Sequence, residues 1–155
     1  DYCQDIRVAV WDPASGSLVK EIRQIKHPVF HMVWVSKLDK LVLADHDRNL
    51  WKLSLGDYKL SRPIHLPQSL LYFTSPNKSE QIPVLLGHVQ SLNTIPGTNL
   101  LFIATGSYFK GGSGVLLTEI GADSIKQLGR LTIDIRGNAH LLVNEKLFHK
   151  MKPPP

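Results

Sequence analysis

Few residues in this chain have the types and spacing that carry chemistry. Asp45-His46-Asp47 sets two carboxylates beside one imidazole, a grouping that binds a divalent ion or passes protons where further ligands complete it. No additional ligand stands at a supporting spacing. Asp47 falls at a turn of the repeat described below, and His46 beside it reads more simply as a solvated loop residue. The stretch 106–114, Gly-Ser-Tyr-Phe-Lys-Gly-Gly-Ser-Gly, has the composition of a phosphate loop. It lacks the Walker spacing of Gly, four residues and Gly-Lys-Ser/Thr, and a hairpin follows it rather than a helix. The single cysteine, Cys3, has no base partner in sequence. His27 and His88 occupy equivalent places in the repeat, which favours structural hydrogen bonding over ligation. No catalytic residue, metal site or cofactor is expected, and the chain reads as non-enzymatic.

The elements that position these residues are strands. Short runs of Val, Ile, Leu and aromatic residues recur between Gly, Pro, Asn, Asp and Ser, without long helical periodicity before the last residues. Trp11-Asp12 is followed seven positions on by Leu18, Leu53-Ser54 by Leu60, and Thr118-Glu119 by Ile125. Each interval ends a strand, crosses a polar turn (13–17, 56–59, 121–124) and begins the next. Asp5 and Asp47 lie six residues before Trp11 and Leu53, and His27 and His88 lie upstream of Leu53 and Thr118. The order is histidine, strand, turn, strand, aspartate turn, strand, turn, strand, which makes one four-stranded meander. Trp11 to Leu53 is 42 positions, a propeller-blade period, and Leu53 to Thr118 is 65. The extra residues fall in the connection around 67–83, with a few more around 107–113.

These features resemble the WD40 repeat family. Val8-Ala9-Val10-Trp11-Asp12 is similar to the blade-ending dipeptide, and Leu86-Gly87-His88-Val89 to the Gly-His that opens a blade. The Trp-Asp pair is replaced by Leu53-Ser54 and Thr118-Glu119 at the other corners, so the pattern is divergent. The resemblance covers about residues 5–133. It implies an all-β fragment of a WD40-like β-propeller with about three four-stranded antiparallel blades, the first incomplete. Residues 1–26 then end a first blade, 27–66 form a complete second, 67–86 are a long insertion, 87–133 a further blade, and 134–155 a closing element or tail. Trp11, Asp12, His27, Asp47, Leu53 and His88 mark the structural repeat. The segment 88–120, with Ser91-Leu92-Asn93-Thr94 and Leu101-Phe102-Ile103-Ala104-Thr105-Gly106-Ser107, looks like the late blades of C-terminal propellers in leucine-rich-repeat Roco kinases and DENN-domain proteins. On that similarity, kinase and GTPase activity would belong to other domains of a larger protein.

Composition sets the remaining bounds. At 43% hydrophobic and 20% charged residues the chain is an ordinary globular sequence, and no apolar run approaches the length needed to cross a bilayer. One cysteine cannot form an internal disulfide, which makes cytoplasm or nucleus the expected compartment. Lys+Arg exceed Asp+Glu by 18 to 13. Lys37, Lys40, Lys52, Lys59 and Arg62 near one blade read either as solvated edge charge or as a basic surface for nucleic acid or anionic membrane lipid. Residues 139–151 read as two strands or a short helix, since Val143, Leu147 and Met151 have helical spacing.

Loops of a meander alternate between its two ends. One end gathers 24–28, 45–49, 67–84 and 107–113; the other gathers 13–17, 36–40, 56–59, 96–99 and 121–124. The first end carries Tyr72, Phe73, Tyr108, Phe109, Lys110, His46 and Arg48, an aromatic and cationic mixture of the kind enriched at protein interfaces. The expected function is a protein-interaction scaffold that binds protein partners or other domains of the same chain.

Overall fold

The computed structural model describes residues 5–66, 71–75, 78–84, 88–106, 114–133 and 139–143, with the backbone alone for 71–75, 78–84, 114, 130–133 and 139–143. Runs rich in β-branched, aromatic and leucine residues form strands throughout, and the only helical element among the described residues is the 3-10 turn Ser36–Leu38. β1 (Val8–Trp11) and β2 (Leu18–Ile22) make a first sheet. β3 (Val29–Val35), β4 (Lys40–Asp45), β5 (Asn49–Leu53) and β6 (Ile64–His65) make a second. β7 (Leu71–Ser75) and β8 (Lys78–Val84) are a separate hairpin, and β9 (Val89–Thr94), β10 (Leu100–Thr105), β11 (Gly114–Ile120), β12 (Ile125–Ile133) and β13 (Ala139–Val143) form the third sheet. Every pairing is antiparallel, and strands adjacent in a sheet are adjacent in sequence.

The second sheet lies between the other two. Successive side chains of a strand point to opposite faces, and β4 and β5 are apolar on both. Val42, Ala44 and Leu50 enter one cluster with Val89, Leu92, Leu101, Ile103, Leu116 and Ile120 of the third sheet. Leu43 and Leu53 enter a second cluster with Ile22 and Ile25, flanked by Val8, Val29, Leu41, Trp51 and Leu60. β9 runs against β3 at the junction. Each fully buried Leu or Ile here contributes about 1.5–3 kcal/mol of transfer free energy, which makes the two apolar seams the main source of cohesion.

The corners repeat in backbone detail. Trp11 pairs with Leu18 and Leu53 bridges to Leu60. The Asp12 amide donates to the Ser17 carbonyl at 2.9 Å, and the Ser54 amide donates to the Lys59 carbonyl at 2.9 Å. Gly16 and Tyr58, each four residues past the turn's first amide, both have positive φ. The third corner is tighter and two residues later: Ile120 pairs with Ile125, and Gly121 donates to the Ser124 carbonyl. β3 and β9 also share a register shift after their first residue, skipping Phe30 and Gln90. In this frame Pro28 is the equivalent of His88, because their carbonyls accept from His46 and Gly106 respectively. His27 therefore stands one residue before the place that His88 occupies.

Two expectations change and a third, left open between strand and helix, is narrowed. The connection 67–86 contains a hairpin rather than only loop, since Leu71-Tyr72-Phe73 faces Ile82-Pro83-Val84 and a proline is tolerated at an edge. Residues 139–143 are a strand added to β12, and Leu147 and Met151 lie outside the described residues. Lys52 is not a solvated charge: only 5% exposed, it points into the seam and its Nζ donates to the Gly121 carbonyl at 2.8 Å. It is thus removed from any basic surface for nucleic acid or lipid.

Truncating Leu101→Ala removes a fully buried side chain from the larger seam, and the intact protein should lose about 2–5 kcal/mol, read from urea unfolding. Burial holds the Lys52 amine below its ordinary value of 10.5. The unfolded chain therefore binds more protons than the fold between that lowered value and 10.5, and stability from this group rises with pH across that window. Stability curves of wild type and Lys52→Met, compared from pH 7 to 11, should show that slope only in the wild type.

Candidate partner-binding rim

The β4–β5 turn is organised by one buried carboxylate. Asp45, 2% exposed at the end of β4, accepts from the amides of Asp47 and Asn49, from Asn49 Nδ2 through both oxygens, and from Trp51 Nε1 at 2.8 Å. Arg48 closes the turn with positive φ and donates its amide to the Asp45 carbonyl. The short side chains of Asp and Asn suit this geometry because they bond backbone groups two to four residues away. Asn49 then passes the network outward, with its Oδ1 accepting from His65 Nδ1 at 2.9 Å. The Arg48 carbonyl accepts from the Leu66 amide, which ties the end of the sheet to the same turn.

This turn holds His46 over the junction between the second and third sheets. Its amide donates to the Pro28 carbonyl, and its ring stacks on His88 at 4.0 Å between centroids and 26° between planes. Phe30, skipped in the β3 pairing and 63% exposed, meets the His46 ring edge-on at 5.8 Å. His88 Nδ1 lies 2.8 Å from the His46 carbonyl, which only accepts, so Nδ1 donates this bond. His27 Nε2 faces Asp47 Oδ2 at 3.8 Å, an exposed pair that acts only when the imidazole is charged.

Of the residues expected at this end, His46 and Arg48 lie in the turn described. Tyr72 and Phe73 lie in β7, opposite Pro83 and Ile82. Tyr108, Phe109 and Lys110 fall outside the described residues. Among the markers of the repeat, Asp12 caps its own turn: the Ser15 hydroxyl and the Ala14 amide bond its carboxylate and hold it below the usual range. Trp11 is exposed on the outer face of the first sheet, opposite Leu18.

The Asp-His-Asp cluster resolves into separate roles. Asp45 spends its oxygens on four N–H groups, while Asp47 faces His27 at the surface. Among the described residues no three His, Cys, Asp or Glu side chains are grouped to hold a metal ion. No helix of the described residues is long and apolar enough to cross a membrane. Sequence reading missed Asp45 as the organiser and Phe30 as part of the ladder. The signal for Asp45 was its place at the end of an apolar strand, with Asn49 and Trp51 at reachable spacing. Phe30 carried none, because its position depends on the skipped register.

Asp45→Ala leaves two backbone amides, the Asn49 side chain and the Trp51 indole without their acceptor, at an expected cost of about 2–4 kcal/mol. Trp51→Phe removes one charge-assisted bond and should cost about 1.5–3 kcal/mol. Urea unfolding of both variants, with hydrogen exchange at the Asp47 and Asn49 amides, checks the order.

Neither the protein-family models nor the curated proteins give a match to this chain.

Proposed function

We propose that this chain is a non-catalytic protein-interaction module, part of a WD40-like β-propeller in a larger intracellular protein, and that it takes its partner at the rim formed by Phe30, His46, Arg48 and His88. The observation that carries this reading is the Phe30–His46–His88 ladder. It presents aromatic and imidazole groups at the rim where two sheets meet, on a turn fixed from below by Asp45. Aromatic and cationic groups on a rigid mount bind with little ordering cost, which is why such groups dominate interface energetics. The propeller part of the proposal rests on a four-stranded and a five-stranded meander stacked against each other, with first strands β3 and β9 adjacent and with corners that repeat. The sequence reading expects Tyr72, Phe73, Tyr108, Phe109 and Lys110 at this same end, where they would enlarge the surface. Any kinase or GTPase activity would reside in other domains.

The test is quantitative affinity capture with the intact protein. A Phe30→Ala, His46→Ala variant should lose a partner by about 30-fold, as expected when a central contact of about 2 kcal/mol is removed. A Lys59→Ala variant at the opposite end should retain it, and thermal unfolding should show all three forms folded. Recovery of every partner equally by the rim variant would remove this site.

A further inference from the structure

Histidines gather at one end of the molecule. His27 lies in the connection before β3, His46 in the β4–β5 turn, His65 at the end of β6 and His88 just before β9, so four separate segments each bring one imidazole to the rim. The turns of the opposite end, 13–17, 36–40, 56–59, 96–99 and 121–124, hold none. His46 stacks on His88 at 4.0 Å, and His88 Nδ1 donates to the His46 carbonyl at 2.8 Å. His27 Nε2 faces Asp47 Oδ2 at 3.8 Å, and His65 Nδ1 donates to Asn49 Oδ1 in the turn that carries His46. None is buried: His27, His46 and His65 are exposed and His88 is half-buried. His31 sits inside β3, opposite Ala44, and stands apart from this group.

The fixed charges around them cancel. In the connections 24–28 and 45–49, Lys26 and Arg48 oppose Asp45 and Asp47. Lys26 donates to the Arg23 carbonyl, and the guanidiniums of Arg23 and Arg7 are held by Asp5 and Glu21 on the first sheet. Phe30, edge-on to His46, and Gln90, whose side chain lies over Gly106 beside His88, carry no charge. Imidazole is the side chain whose charge changes between about pH 5 and 8. Across that range the rim passes from electrical balance to as many as four added positive charges, and two of them stack at 4.0 Å, where like charges repel. A bound anion offsets that repulsion. Nucleic acid and anionic membranes are held by several permanent Lys and Arg charges, which these connections lack. Carboxylates of a protein chain match the rim better, as single charges that imidazolium N–H groups bond one at a time beside an apolar ring.

We propose that the rim docks an acidic segment of a protein partner, rich in Asp and Glu, and that it does so in its protonated form, so that affinity rises as pH falls. The inference rests on the rim being the partner site, and it adds what the partner carries and how pH regulates the contact. Carboxylates bind charged imidazoles and not neutral ones, so docking takes up protons and acidification favours the complex. The gain ends below about pH 4, where the partner's own carboxylates become neutral.

The probe is an octa-aspartate peptide titrated calorimetrically onto the intact protein at pH 8 and pH 6. Affinity should rise at least ~10-fold at the lower pH, with about one proton or more taken up per peptide, counted from titrations in buffers of different ionisation heat. An octa-asparagine peptide should bind at neither pH. A His46→Gln, His88→Gln variant, in which the second glutamine keeps a donor for the carbonyl of position 46, should lose most of the rise, while Lys59→Ala at the opposite end keeps it. Thermal unfolding at both pH values checks that each form is folded. If the double variant does not fold, His27→Gln, His65→Gln, at exposed positions outside the stack, takes its place and should also diminish the rise. Affinity that is flat or falls from pH 8 to pH 6, a rise undiminished in the rim variant, or an oligothymidylate of equal charge bound more tightly than the peptide at pH 6 would each overturn the proposal. A partner captured through Phe30 and His46 whose binding is the same at both pH values would remove this inference and leave the rim site standing, whereas equal capture of every partner by the Phe30→Ala, His46→Ala variant would remove both.

Discussion

A strand sends alternate side chains to opposite sides, and β4 and β5 are apolar on both, so the second sheet is stable only with a cover on each face. That requirement sets the order of the molecule. Leu50 and Val42 call for the third sheet, Leu43 and Leu53 call for the first, and the chain meets both demands with meanders built from local turns. Such connectivity keeps paired strands close in sequence, which limits the loop-closure entropy of each hairpin. The non-local part is confined to the two seams.

Several polar groups at the seams meet a specific acceptor or donor. Lys52 reaches the Gly121 carbonyl, and Thr118 gives its hydroxyl to the Leu101 carbonyl. Ser36 accepts from the Gly97 amide, which fastens the turn below β3 to the turn below β9. Thr105 stands where Asp45 stands in the second sheet, one at each β-strand end paired to the first residue of β9 or β3. Asp45 satisfies a whole turn, whereas the Thr105 hydroxyl is buried without a partner. The two sheets therefore share a backbone plan but differ in what holds their upper turns, and only the second sheet builds a fixed platform under His46.

The strand content and the first two corners were legible in the sequence because turn residues and apolar alternation act locally. Asp12 and Ser54 open identical turns, and seven-residue spacing was enough to find them. The third corner falls two residues later, at a four-residue turn between Ile120 and Ile125, which spacing alone does not reveal. The hairpin inside 67–86 was hidden by its prolines, which read as loop until one is seen at an edge. Lys52 looked like surface charge because a lysine on an alternating strand gives no sign of a carbonyl waiting across the seam. The rim was legible as an end of the meander. Its ladder was not, since stacking of His46 on His88 arises from two turns separated by 42 residues.

β13 makes the third sheet one strand wider than the second, and it lies along the last strand of that meander, β12, which at nine residues is the longest strand described. A border of that length, left bare, is a template on which foreign polypeptide can add and fibrillar growth can begin. By pairing residues 129–133 with 139–143, the chain spends its own last described strand as a guard on its most vulnerable boundary.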